Sequence, residues 1–276
     1  MIDFHNVIYK MPNYVRRFGL IHGLRLLLLI ERRLGRDATC TDAIRVPGYP
    51  FPIHLRDTIS DHATFWQCIV DNQYDFCRFP QAERLNEEYK RMTGNGETPL
   101  IIDCGANVGL ATLWLAYKFP LARIVAVEPD TDNFNALLAN IRPLGNRIRA
   151  LQGGIWNRGG HLDITNPGAG SAAYRVAYVD QPTQNSIRAY TIADICQMEG
   201  VTAPFIAKLD IEGAQLAVFS DNTDWVSGTH LIMIELDDWQ MPWVGTSRPF
   251  FSTLSRVPFD YLIHGESIFC FRDFKV

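Results

Sequence analysis

Several features that would announce a common protein class are missing from this chain. Its six cysteines, at positions 40, 68, 77, 104, 196 and 270, form no C-x-x-C pair. That removes a zinc knuckle and offers no disulfide framework. Scattered thiols of this kind fit a reducing, cytoplasmic setting. Excess basic charge is missing too: 26 Lys and Arg face 30 Asp and Glu, for a net charge of -4. Nucleic-acid binding driven by bulk charge is therefore not expected. No apolar run is long enough for a membrane span. The densest, "GLRLLLLI" from Gly23 to Ile30, is far short of the roughly 20 residues a bilayer needs. The first residues include Asp3 and Lys10 and give no expectation of a signal peptide. Internal repeats and low-complexity stretches are also lacking.

Apolar residues make up 47% of 276, enough for one large core with a smaller appendage. The apolar octet lies among Arg16, Arg17, Arg25, Arg32, Arg33 and Arg36. It reads as a basic helix over roughly Tyr14 to Leu34. Docking on its own domain or on a second subunit is the plainer expectation, and peripheral contact with a membrane surface is the alternative. The Pro-rich "RVPGYPFPIHLRD" suits short extended pieces. Ser60 is placed to cap a helix carrying Phe65, Ile69 and Val70 on one face. A charged helix is expected from about Gln81 to Met92. Residues 1–75 are expected to form a helical and extended region, and 76–276 the main domain.

From Pro99 onward, apolar runs alternate with helical patterns. Leu100–Asp103, Ile124–Val127 and Ile148–Leu151 read as buried strands, with helices over Leu110–Tyr117 and Asp130–Ile141 between them. This is the pattern of a parallel sheet with crossover helices. "GGHLDITNPGAGSAAYRVAYVD" suggests an inserted hairpin. A helix over Ile192–Glu199 precedes strands in "PFIAKLDIEG" and "HLIMIELDD". Two antiparallel strands are expected around His264-Gly265-Glu266.

"DCGANVG" ends the first of these strands and opens a helix, the place where open parallel sheets bind ligands. Gly105 and Gly109 let the backbone turn and approach closely. A dinucleotide site would read G-x-G-x-x-G, with bare amides for a pyrophosphate. Here Asn107 replaces the middle glycine, and Asp103 places an acid just before the turn. Acids disfavour a pyrophosphate but suit a ligand bearing ammonium and sulfonium groups, as S-adenosylmethionine does. Glu128, before Pro129, can accept hydrogen bonds from both ribose hydroxyls. A helix-capping Asp103 and a surface Glu128 are the plainer alternatives.

"IIDCGANVGLATLWLA", "VAVEPDTDNFNALLANI", "IAKLDIEGAQLAVF" and "IMIEL" resemble successive motifs of the FkbM family of S-adenosylmethionine-dependent methyltransferases. "LRDTISDHATFWQCIVDNQYDF" resembles that family's lead-in, so the likeness runs over roughly Leu55 to Phe271. It implies an α/β, class I methyltransferase fold: a mostly parallel seven-stranded sheet with helices on both faces, here with an N-terminal helical extension. It also implies O-methylation, often of sugars or polyketide-type hydroxyls. Gln215 departs from the pattern, because the family usually has an acid there. An NAD-linked or nucleotide-sugar oxidoreductase and a donor-binding module without turnover are the rival expectations.

Methyl transfer requires an aligned acceptor and a place for its proton. In "AKLDIEG", Lys208, Asp210 and Glu212 alternate along a strand and so share a face. Asp210 is the expected general base or metal ligand, Lys208 the cation that orients it or stabilises the alkoxide, and Glu212 a second oxygen ligand or substrate contact. Mg2+ held by Asp210, Glu212 and Glu235 is the metal-dependent version; a simple Lys208–Asp210 ion pair at the sheet edge is the plain one. Asp237 and Asp238 follow. His264 is a further candidate base. Donor contacts are expected from Tyr74, Asp103, Gly105, Ala106, Asn107, Gly109, Glu128, Pro129 and Trp156. Trp239 and Trp243 are candidates for an aromatic wall against the acceptor.

Overall fold

The computed structural model describes residues 4–31, 41–166 and 174–274. The chain opens with α1 (Phe4–Phe18) and α2 (Leu20–Glu31). These replace the single basic helix expected over Tyr14–Leu34. Gly19 adopts a left-handed φ of +77°, which ends the first helix and lets the chain reverse. The helices then cross closely: a Cβ on Gly23 would lie 2.5 Å from the Tyr14 carbonyl oxygen. Residues 32–34 of the expected helix lie outside the described residues.

β1 (Thr41–Ile44) and β2 (Ile53–Arg56) form an antiparallel pair. α3 (Ile59–Phe65) is capped by Thr58, whose hydroxyl accepts the Asp61 N–H at 3.0 Å. The expected cap, Ser60, instead lies inside the first turn, because the extended backbone that a cap requires occurs two residues earlier. A π-helical turn, Trp66–Val70, follows, and Phe65, Ile69 and Val70 are all buried. α4 (Gln81–Gly94) is largely exposed.

The alternating region is β3 (Leu100–Cys104), α5 (Leu110–Lys118), β4 (Arg123–Glu128), α6 (Thr131–Ile141) and β5 (Ile148–Gln152). A side sheet follows, from β6 (Gly154–Ile155), β7 (Gly160–Ile164), β8 (Val176–Val179) and β9 (Ile187–Tyr190). The expected hairpin is β7–β8, and its sheet has the order β6-β9-β7-β8. α7 (Ile192–Glu199) starts with a capping box between Thr191 and Asp194. The chain ends with β10 (Ile206–Leu209), α8 (Gln215–Val218), α9 (Trp225–Gly228), β11 (Leu231–Glu235), α10 (Arg248–Leu254), β12 (Phe259–His264) and β13 (Ser267–Arg272).

The main sheet is seven-stranded, in the order β12-β13-β11-β10-β3-β4-β5. β11, β10, β3, β4 and β5 are mutually parallel, and β13 runs antiparallel between β11 and β12. Its central strands are apolar on both faces, as buried parallel strands require. Ile101 packs with Leu113, Leu137 and Ile124 on one face, whereas Leu100, Ile102 and Cys104 pack with Ile195, Val218 and Phe250 on the other. Tyr14, Leu27, Ile53 and Leu55 belong to the first of these cores, so the N-terminal elements are packed into the domain rather than trailing from it.

Candidate active site

Three parallel neighbours, β4, β3 and β10, bring the Gly105 loop, Glu128 and Asp210 to one edge of the sheet. The loop is held from below. The N–H groups of Gly105 and Ala106 both donate to the Val127 carbonyl, at 3.0 and 2.9 Å. Gly105 has φ +76°, and a Cβ there would fall 1.8 Å from the Asp210 carbonyl oxygen. Only glycine lets the loop lie against the β10 end so closely. Gly109, at φ +86°, caps α5 and supports the loop from behind. Asn107 and Glu212 also hold left-handed backbones, with φ of 50° and 47°. Such conformations cost free energy in non-glycine residues and cluster where geometry is functional.

Two cavities meet at this edge, and Gly105, Asn107, Asp210 and Glu212 line both. The first continues along Glu128, Pro129, Gly153, Gly154 and Ile155 to Tyr174, Val176 and Ala214. Its lining combines the Glu128 carboxylate, apolar Val127, Pro129, Ile155 and Ala214, and the acids Asp210 and Glu212. The second is lined by Tyr74, Cys68, Gln67, Lys208, Glu235, Asp237, Trp239 and Glu266. Its walls are largely polar and acidic.

Lys208 organises the floor. Its side chain is 3% exposed. The ammonium donates to the Gly105 carbonyl at 2.9 Å and pairs with Asp103 at 3.2 Å and Asp210 at 3.4 Å. It also lies 5.6 Å from the centre of the Tyr74 ring. Burial pulls its pKa down, but Asp103, Tyr74 and Asp210 outweigh this and hold it well above the ordinary lysine value. Lys208 is thus a fixed internal cation joining loop, strand and acid.

Asp103 does not reach the cavities. It is fully buried beneath the loop, where Lys208 and the Thr112 hydroxyl, at 2.6 Å, occupy its oxygens. It therefore lines neither cavity, whereas the acids Asp210 and Glu212 line both. Glu128 accepts the N–H groups of Asn107 at 2.7 Å and Asp130 at 3.0 Å, and burial pushes its carboxyl up to about 7. Glu212 is pushed up to about 7 by burial and then by Asp210 and Asp237, and its Oε2 is buried without a hydrogen-bond partner. Glu235 is pushed up to about 8, first by burial and then by Asp210. It accepts from Gln73 at 2.6 Å and from Ser267 at 3.2 Å. Gln215 donates to Asp237 and to the Glu235 carbonyl. An amide can support Asp237 in this way, whereas an ionised acid would repel it.

Other expected residues stand elsewhere. His264 lies outside both cavities, on the edge strand, with Nδ1 3.0 Å from the Gln73 carbonyl oxygen. Trp156 is not on the cleft wall. Along the extended chain its neighbour Ile155 faces the cavity instead. Trp239 borders the second cavity, but Trp243 is 94% exposed and borders neither. Asp238 likewise lines neither cavity. The metal set does not assemble: among the described residues, no group of three or more His, Cys, Asp or Glu is arranged to hold an ion. Gln73 and Ser267 occupy Glu235, and Lys208 occupies Asp210. Sequence reasoning missed Glu266, Gln67, Tyr174 and Val176. They arrive from distant segments, and no local motif marks them.

The sheet order, with its antiparallel penultimate strand, and the glycine loop facing Glu128 define a class I methyltransferase fold. Residues 103–245, just over half of the chain, match the methyltransferase FkbM domain, and the chain belongs to that family. It is 36% identical over 69 residues to methyltransferase sdnD of Sordaria araneosa, covering 24% of this chain and 27% of that protein. It is 24% identical over 143 residues to hexuronic acid methyltransferase AglP of Haloferax volcanii, covering 51% of this chain and 56% of that one. The matched stretches thus span about a quarter and about half of these curated relatives. Among solved structures, monomeric WbdD aligns at 15% identity with a TM-score of 0.40, covering 69% of this chain and 41% of that chain.

Proposed function

We propose that the protein is an S-adenosylmethionine-dependent O-methyltransferase acting on a hydroxyl of a sugar, glycolipid or natural-product acceptor. The observation that carries this reading is the junction of the two cavities at Gly105, Asn107, Asp210 and Glu212. The first cavity suits the donor. Glu128 can accept ribose hydroxyls, Pro129, Ile155 and Ala214 offer apolar contact, and Asp210 and Glu212 stand where positive charge would lie. A pyrophosphate would meet those acids instead of free amides. When bound, the donor supplies a methyl group on a sulfonium. The chain's own groups must align the acceptor oxygen in the second cavity and take its proton.

Glu212 is the better proton acceptor of the pair. Its carboxyl is poised near 7 and has an unoccupied oxygen, matching a base that works near neutral pH. Lys208 fixes Asp210, which suits it to receive the acceptor's hydrogen bond and align it. Lys208 also holds the Gly105 carbonyl, so donor loop and acceptor acid share one anchor. The similarity to a hexuronic acid methyltransferase supports a sugar among the acceptor classes. Isothermal titration with S-adenosylhomocysteine and with NAD tests the donor reading. Tight uptake of the former alone is expected, and uptake of NAD alone overturns the reading. Transfer of a labelled methyl group to a panel of sugars and sugar acids, lost in Glu212→Gln, tests the chemistry.

A further inference from the structure

The N-terminal helical hairpin differs in charge and exposure from the rest of the molecule. From Phe4 to Glu31 the chain carries Lys10, Arg16, Arg17 and Arg25 against a single acid, Glu31 at the end of α2, in a protein of net charge -4. Its inward face is apolar and well packed, with Tyr14, Leu26, Leu27 and Ile30 buried. Its outward face is apolar as well. On α2, Ile21, Leu28 and Leu29 are 79%, 43% and 37% exposed. With Arg25 they follow i, i+4, i+7 and i+8 spacing and so share one face. On α1, Ile8 and Tyr9 are 66% and 73% exposed. Leu20, at the turn, adds another exposed apolar side chain at 64%. A solvated helix pair has no need of this combination, whereas an interfacial one does.

We infer that the α1–α2 hairpin docks on an anionic lipid surface, with Ile21, Leu28 and Leu29 entering the interface and Arg16 and Arg25 meeting the headgroups. Charge complementarity selects this occupant. A second copy would bring two predominantly basic faces together, and like charges oppose that. The placement of the hairpin also has a use. Lys10 lines a hollow with Trp66, Gln67 and Glu266, and Gln67 and Glu266 also line the second cavity. The hairpin therefore borders the approach to the acceptor chamber. If the methyltransferase reading above holds, the acceptor is a glycan anchored in lipid, presented at the surface on which the enzyme rests.

The binding test does not depend on turnover. The full chain is sedimented with vesicles of phosphatidylcholine alone and of equal parts phosphatidylcholine and phosphatidylglycerol. Binding to the mixed vesicles only, weakening with salt, is expected. Arg16→Ala with Arg25→Ala should weaken it about 25-fold, at roughly fivefold per arginine near an anionic surface. Ile21→Asp should abolish it. All three positions are exposed, so thermal melts and S-adenosylhomocysteine binding should be unchanged. A chain that stays in the supernatant with anionic vesicles, or variants that sediment like the parent, would overturn the inference. So would a dimer on gel filtration that Ile21→Asp splits, because the face would then serve a second copy.

Discussion

Replacing Lys208 by methionine removes the cation beneath the glycine loop while leaving a side chain of similar length. Asp103, fully buried, would keep only the Thr112 hydroxyl. Breaking a buried pair by removing one partner costs about 3–5 kcal/mol, because the remaining charge is stranded. In a domain of this size that amounts to a fall in Tm of roughly 5–9 °C. Exchanging both partners, in Lys208→Met with Asp103→Asn, removes the stranded charge, so most of the loss should return. The double variant should nevertheless bind S-adenosylhomocysteine weakly, since nothing then holds the Gly105 carbonyl. Differential scanning calorimetry of the parent, both single variants and the double variant measures the coupling directly. A single variant that melts within about 2 °C of the parent would refute the account of Lys208 as a buried, paired cation.

Other outcomes follow from the same geometry. Gly105→Ala should abolish donor binding even if the chain folds, because the added methyl meets the Asp210 carbonyl oxygen; titration calorimetry reads this. Methyl transfer should rise with pH through about 7 as Glu212 loses its proton. Glu212→Gln should remove that inflection and lower kcat by roughly 10²–10⁴. In the free protein, stability should fall as pH rises. Glu128 has a folded-state pKa of about 7 against an ordinary 4.5, so its contribution is complete below about 4.5 and is lost as pH climbs through 7. Glu128 alone accounts for about 3 kcal/mol of this. Melting curves across this range should show the slope, and Glu128→Gln should flatten it.

Much of the architecture could be read in advance because it depends on local pattern. The strands around Ile101, Val125 and Ile232 are continuous apolar runs, and the helix over Ile192–Glu199 is fixed by its own caps. Gly105, Asn107, Glu128 and Asp210 could be located because strand ends in a parallel sheet converge. Depth could not be read. Asp103 and Asp210 look alike in sequence, yet the first lies beneath the loop and the second on the cavity wall. Register mattered as well: Trp156 was expected at the cleft, but its neighbour Ile155 occupies that wall. Likewise His264 and Glu266 are two residues apart, yet only Glu266 reaches the second cavity. The helix break at Gly19 follows from one backbone angle that an apolar, arginine-rich pattern does not encode.

The contact of Gly105 with the end of β10 sits where the two cavities meet, so both are bordered by the same short stretch of backbone. A ligand in one cavity that shifts the loop must also move Asp210, which lines both. Occupancy of either compartment is therefore felt by its neighbour, and linkage requires the effect to be reciprocal. Donor and acceptor affinities measured separately should not simply add. The demethylated product, still filling its own side, should change how readily the methylated acceptor leaves.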